Sequence, residues 1–98
     1  MAEKPIIWSE IALQELEDIL NFYNQRNQSL VFSKKLLSLA ENTLQTISGN
    51  ENIGRKTKSK NIRTFPLKYF LIIYEINVDR IEVLSFWDNR QNPKKKRF

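Results

Sequence analysis

The side chains of this chain that could act on another molecule are cations, and most of them lie in its second half. Up to Ile53 there are four Lys or Arg against seven Asp or Glu, whereas from Gly54 onward there are twelve against four. The basic set is Arg55, Lys56, Lys58, Lys60, Arg63, Lys68, Arg80, Arg90 and the run Lys94, Lys95, Lys96 and Arg97. A surface of this kind attracts polyanions or acidic protein. The chain has no cysteine and no histidine, which removes disulfides, thiolate chemistry, cysteine metal sites and the commonest general base. Any chemistry must therefore run on Lys, Arg, Tyr, Asp, Glu or backbone. The sequence holds no glycine-rich phosphate loop and no ligand cluster, so no metal, nucleotide or organic cofactor is expected.

Ninety-eight residues suit one domain, residues 1–98, with a small core, since a chain of this size buries only about two thirds of its unfolded surface. Met1-Ala2-Glu3-Lys4-Pro5 lacks the basic and then apolar pattern of a secretory signal. The longest apolar run, Tyr69 to Tyr74, is far short of the ~20 residues that span a bilayer. A soluble, cytoplasmic protein is expected.

The elements that must position the cations follow from periodicity. Lys4 to Trp8 reads as a short strand, and Ser9 stands where a helix N-cap belongs, with Glu10 in the first turn. Ala12, Leu16, Ile19, Leu20 and Tyr23 then recur at helical spacing, predicting a helix that ends near Asn24 to Asn27. Ser29 is a second N-cap candidate, and Phe32, Leu36, Leu39, Ala40, Thr43, Leu44 and Ile47 form an apolar stripe that stops at Gly49, read as the C′ residue. The short connection predicts an antiparallel hairpin. Gly49 to Lys60 reads as a polar loop. Asn61 to Phe65 reads as a strand broken by Pro66-Leu67, Lys68 to Asn77 as a central strand, Asn77-Val78-Asp79-Arg80 as a turn, and Ile81 to Trp87 as the returning strand. The expected fold is α+β, in the order β-α-α-β-β-β, with the helix hairpin on one face of a twisted antiparallel sheet.

Two helices can cover one sheet face only. Alternation places Phe70, Ile72, Tyr74 and Ile76 on the helix side and leaves Leu71, Ile73, Leu84 and Phe86 as an apolar strip on the other. Such a strip is either a partner site or is covered by loops and the C-terminal tail.

Taken in order, Trp8-Ser9 before Ala12 and Leu16, the helix hairpin, Gly54-Arg55, Ile62-Arg63, the Tyr69 to Ile76 strand with Tyr74, and Arg90 with Pro93 resemble the RelE/ParE toxin superfamily. These are the toxins of bacterial type II toxin–antitoxin systems. The resemblance implies a helical hairpin on a twisted antiparallel sheet, and a cognate antitoxin whose segment binds the toxin. Leu71, Ile73, Leu84 and Phe86 are the expected antitoxin-binding residues. It also implies one of two targets: ParE-like toxins inhibit DNA gyrase, whereas RelE-like toxins enter the ribosome and cleave mRNA.

A metal-free ribonuclease needs cations around the scissile phosphate and carriers for two protons. Lys58, Lys60, Arg63 and Arg90 are the candidates for such a centre. Proton carriers are scarce: the tail after Arg90, Gln91 to Phe98, ends in an aromatic with neither phenol nor imidazole, and Phe98 cannot transfer a proton. A lysine with a depressed pKa among cations can do so. Asn89-Arg90-Gln91-Asn92-Pro93 is similar to the ParE-like ending, so gyrase inhibition is the first expectation and ribosome-dependent mRNA cleavage the alternative. On either branch the target-facing residues are Arg55, Lys56, Arg80, Trp87, Arg90, Lys94, Lys95, Lys96 and Arg97.

Structural readings stand beside these. Lys94 to Arg97 also suits a solvated tail, Trp87 packing at the sheet end, Tyr74 a satisfied core hydroxyl, and Arg63 an ion pair with Glu75 or Glu82. A non-toxic basic nucleic-acid-binding module is a further alternative, although the paired aromatics of an RNA-recognition sheet are missing.

Overall fold

The structure is a computed structural model and describes residues 3–90. Strand β1 (Ile6–Trp8) is followed by helices α1 (Glu10–Asn27) and α2 (Val31–Gly49) and by strands β2 (Arg55–Lys56), β3 (Ile62–Leu67), β4 (Phe70–Ile76) and β5 (Ile81–Asp88). The five strands form one sheet in the order β1-β5-β4-β3-β2.

Helix α1 starts where the N-cap signal puts it: Ser9 is extended, and its Oγ accepts from Ala12 N at 3.0 Å. It ends at Gln28, whose φ of 50° is left-handed and turns the chain into α2. The second helix starts one residue later and ends two residues later than the expectation. Leu30 precedes it and Ser29 Oγ accepts from Val31 N instead, while Gly49 stays helical and Asn50 N–H closes the last turn on Thr46 O and Ile47 O. Across the hairpin, the buried Ser33 hydroxyl donates to the Asn24 side chain.

Both helices bury their apolar stripes on one face of the sheet. Ala12, Leu16, Ile19 and Tyr23 of α1 and Leu36, Ala40, Leu44 and Ile47 of α2 meet Phe70, Ile72 and Tyr74 of β4 and Ile81, Val83 and Phe86 of β5. Burying each large apolar side chain contributes about 1.5–3 kcal/mol, and this contiguous cluster holds the two layers together.

Three details of the sheet depart from the sequence reading. First, β1 pairs parallel to β5, Ile6 opposite Ile81 and Trp8 opposite Val83, so the sheet is mixed rather than wholly antiparallel. Second, Pro66 does not break β3; it lies within it, opposite Leu71. β2 reaches only Arg63 and Thr64, so at Pro66 the far side of β3 is an open edge, where a missing N–H forfeits no ladder bond. The polar loop likewise contains the two-residue β2, an added strand.

Third, β4 and β5 are out of step at a β-bulge: Ile73 is opposite Ser85 but Tyr74 is opposite Val83, so Leu84 is the extra residue. A bulge reverses the alternation beyond it. Phe86, expected on the outer strip, is therefore in the core, 1 % exposed and packed on Trp8 and Phe70 with ring centroids 6.1 and 5.6 Å away. The Glu15 carboxylate on α1 satisfies the irregular backbone, its Oε1 accepting from Phe86 N at 3.2 Å and from Ser85 Oγ at 2.8 Å. Leu71 and Ile73 do face outward, but both are buried and only Leu84 is half-exposed, so the expected strip is not an open apolar surface. Leu71 is flanked across the strands by Pro66 and Trp87, and Ile73 by Thr64 and Ser85. Among the described residues no helix is long and apolar enough to cross a membrane.

Candidate functional site

The strand register sorts the cations to different parts of the sheet. Lys58 and Lys60 lie in the turn between β2 and β3, which Thr57 organises by accepting from Ser59 N at 3.1 Å and lying 2.8 Å from Ile62 O. Arg55 and Lys56 are exposed on edge strand β2. Arg80 sits in the β4–β5 turn, where it is exposed and pairs with Asp79 at 3.0 Å. Lys94, Lys95, Lys96 and Arg97 fall outside the described residues, as do Gln91 and Phe98.

Arg63 points into the layer between sheet and helices, because its cross-strand neighbour Tyr74 does. It makes neither of the ion pairs expected of it, since Glu75 and Glu82 face each other one position along, on the opposite face. Instead Arg63 Nη1 donates to Asn52 O at 3.1 Å and to Gly54 O at 2.8 Å. Tyr74 Oη binds the same loop, donating to Glu51 O at 2.8 Å and accepting from Gly54 N at 3.0 Å. Arg63 and Tyr74 thus act as a clamp on residues 51–54.

At the other end of the sheet the chain builds a denser constellation around Arg90. Asp88, the last residue of β5, faces the helices because of the bulge, and its side chain is 1 % exposed. Its Oδ2 accepts from Tyr23 Oη at 3.0 Å, and its Oδ1 accepts from Arg90 N at 2.9 Å and faces Arg90 Nε at 3.4 Å. The Arg90 guanidinium carbon lies 5.0, 4.4 and 5.4 Å from the ring centroids of Tyr23, Tyr69 and Phe70. Cation–π contacts of this kind contribute about 0.5–2 kcal/mol each. Tyr69 is 57 % exposed and Arg90's side chain 39 %, so the constellation opens to solvent on one side. Asn89 N–H closes it by donating to Tyr69 O at 2.9 Å.

Burial raises the Tyr23 phenol above its ordinary value, and the Asp88 hydrogen bond and charge push the same way, against Arg90 and Arg26. Tyr74 is also raised, chiefly by burial, with the Gly54 N–H and Arg63 opposing. Both phenols titrate in the unfolded chain near 10 and higher in the fold. The neutral form is the one the fold favours, so their stabilisation is full below about pH 10 and is lost as pH rises through the folded values. Urea unfolding measured from about pH 8 to about pH 11 should therefore show stability falling at the alkaline end. The fall should be shallower in Tyr74→Phe, whose phenol cannot ionise.

The four cations proposed for a cleaving centre are not brought together. Arg63 is opposite Tyr74 whereas Asp88, two residues before Arg90, is opposite Phe70, a separation of four strand residues or about 13 Å. Lys58 and Lys60 lie further still, beyond the Ile62 end of β3. Neither Tyr23 nor Asp88 stands out in the sequence as part of a site. The first reads as one more position of an apolar helical stripe, and the second falls on the wrong face unless the bulge is known.

A family model described as the ParE toxin of the type II toxin–antitoxin system parDE matches residues 6–93. The chain belongs to this ParE toxin family. It is therefore the toxin component of a type II toxin–antitoxin pair, and membership implies a cognate antitoxin as its partner. Solved structures share the fold. The chromosomal ParDE system of P. aeruginosa superposes with a TM-score of 0.73 at 17% identity, covering 88% of this chain and 96% of that one. The YoeB dimer of Staphylococcus aureus gives a TM-score of 0.61 at 22% identity over 88% of this chain and 97% of that one. No curated protein sequence matches significantly. Of the sequence readings, the non-toxic binding module gives way to this family assignment.

Proposed function

We propose that this ParE-family toxin acts in the cytoplasm and arrests growth by inhibiting DNA gyrase, with Arg90 and its aromatic surroundings as part of the target contact. One observation carries the reading. The cations that a phosphate-cleaving centre would gather around one oxygen are dispersed, Arg63 being committed to backbone carbonyls and Lys58 and Lys60 lying at the far end of the sheet from Arg90. A surface that binds a protein needs no such convergence. Aromatic and arginine side chains are the residue types that dominate protein contacts, and Arg90 with Tyr69 provides both.

Ribosome-dependent mRNA cleavage has one observation in its favour. The exposed Tyr69 phenol beside Arg90 is a proton carrier next to a cation, which the tail sequence does not provide. The two readings separate in vitro. Purified toxin is expected to inhibit supercoiling of relaxed plasmid by gyrase, and Arg90→Ala to need at least about tenfold more protein for the same inhibition, a change of about 1.4 kcal/mol. Cleavage of mRNA on programmed ribosomes by the wild type, with supercoiling untouched, would sink the gyrase reading.

A further inference from the structure

We infer that Tyr23 and Asp88 are positioning residues for Arg90, holding its guanidinium in place at the surface before the target arrives. The inference rests on the reading that Arg90 meets the toxin's target.

An arginine just past the end of a strand ordinarily samples many rotamers and must give up that freedom on binding, a loss of about 2- to 12-fold in affinity. Here most of that freedom is already removed. The two oxygens of Asp88 divide the work. Oδ2 takes the Tyr23 hydroxyl, which fixes the carboxylate to the end of α1, and Oδ1 takes the Arg90 main-chain N–H and faces Nε. The first contact spans 65 residues of chain and the second only two, so a helix position is translated into the direction of a surface side chain.

Three rings from separate elements complete the seat: Tyr23 from α1, Tyr69 from the β3–β4 turn and Phe70 from β4. Tyr23 is itself wedged between Phe22 and Phe32, with centroids 4.9 and 4.6 Å away, so it has little room to yield. Among the described residues no hydrogen bond engages Arg90 Nη1 or Nη2. Those are the nitrogens that form a two-pronged contact with a carboxylate or phosphate.

A purely structural role explains this less well. A buried carboxylate must be desolvated, and an apolar residue of similar shape commonly serves stability as well or better. What Asp88 does that an apolar residue could not is orient a guanidinium through a hydrogen bond while the rings hold its plane.

The test uses Tyr23→Phe and Asp88→Asn, which keep shape, in the full-length toxin. Two-dimensional 15N NMR of arginine side chains should show Arg90 Nε–H displaced by ring currents in the wild type and moved toward free-arginine values in both variants, with the backbone spectrum of the core unchanged. Growth arrest under titrated induction should need about 3- to 10-fold more toxin in each variant. In an Arg90→Lys background neither substitution should weaken arrest further. An Arg90 signal unmoved in both variants, or an equal additional loss in the Arg90→Lys background, would overturn the inference. Supercoiling by purified gyrase is measured in parallel. Wild-type toxin that arrests growth yet leaves gyrase active overturns the proposed target alone, and the NMR and growth results decide the positioning role independently.

Discussion

Phe86→Ala is expected to lower the unfolding free energy by about 3–5 kcal/mol, the range for removing a buried aromatic ring from a packed core. For a domain whose total stability is of the order of 5–15 kcal/mol, that is roughly a fifth of it or more. The size of the effect follows from placement. Phe86 is 1 % exposed and contacts Trp8 and Phe70, so the cavity left behind has strand on one side and α1 above, neither free to collapse into it. Leu84→Ala, two residues earlier, is the matched control. Leu84 is half-exposed at the bulge, and truncating it should cost about 1 kcal/mol. Urea unfolding of both variants, compared at unchanged denaturant dependence, checks the pair. A larger loss at Leu84 than at Phe86 would mean that β5 keeps strict alternation and that the bulge is absent.

Gly54→Ala should be nearly as damaging, at about 2–4 kcal/mol, although it adds a single methyl group. A Cβ at this position would stand 2.6 Å from Tyr74 Oη and 2.8 Å from Thr64 O. Thr64 belongs to β3, so its carbonyl cannot swing away, and Tyr74 is fully buried with its hydroxyl held by Glu51 O and Gly54 N. The glycine is needed for closeness and not for its backbone angles, since no glycine of the described chain has positive φ. Displacing residue 54 also undoes the Arg63 contacts to Asn52 and Gly54, so the loop 51–54 should loosen together. For a domain of this size each kcal/mol corresponds to roughly 4–8 °C in melting temperature. A thermal melt should thus show a drop on the order of 10–30 °C. Combining the change with Tyr74→Phe should recover part of it, because one of the two clashes is then removed. A melt unchanged by Gly54→Ala would show that the loop does not pass this close to Tyr74.

The helices were legible because their causes are local: Ser9 caps Ala12 three residues away, and the apolar stripes repeat within single turns. Strand β4 and its turn to β5 were legible for the same reason, through an uninterrupted apolar run and a polar four-residue link. Phe86 was misplaced because the alternation rule is local, whereas the bulge that reverses it is stabilised by Glu15, 71 residues away. Pro66 looked like a break because a lone strand says nothing of how far its neighbour extends, and only the two-residue length of β2 makes the position harmless.

The candidate site divides in the same way. Arg90 stood out by charge and by its place after the last strand, and the shortage of proton carriers was plain from composition. The segregation of charge, acidic in the helical half and basic in the sheet and tail, was likewise a property of the chain as written. What tertiary structure alone decided is which cations share a place. Register carries Arg63 into the loop clamp, sends Lys58 and Lys60 to one end of the sheet and leaves Arg90 at the other. It also brings Tyr23, 65 residues away along the chain, to Asp88 beside Arg90. Residue type sets the chemistry a side chain can offer and is written locally. Proximity is set by the pairing of distant strands and by the helix packed over them, which no short window of residues encodes.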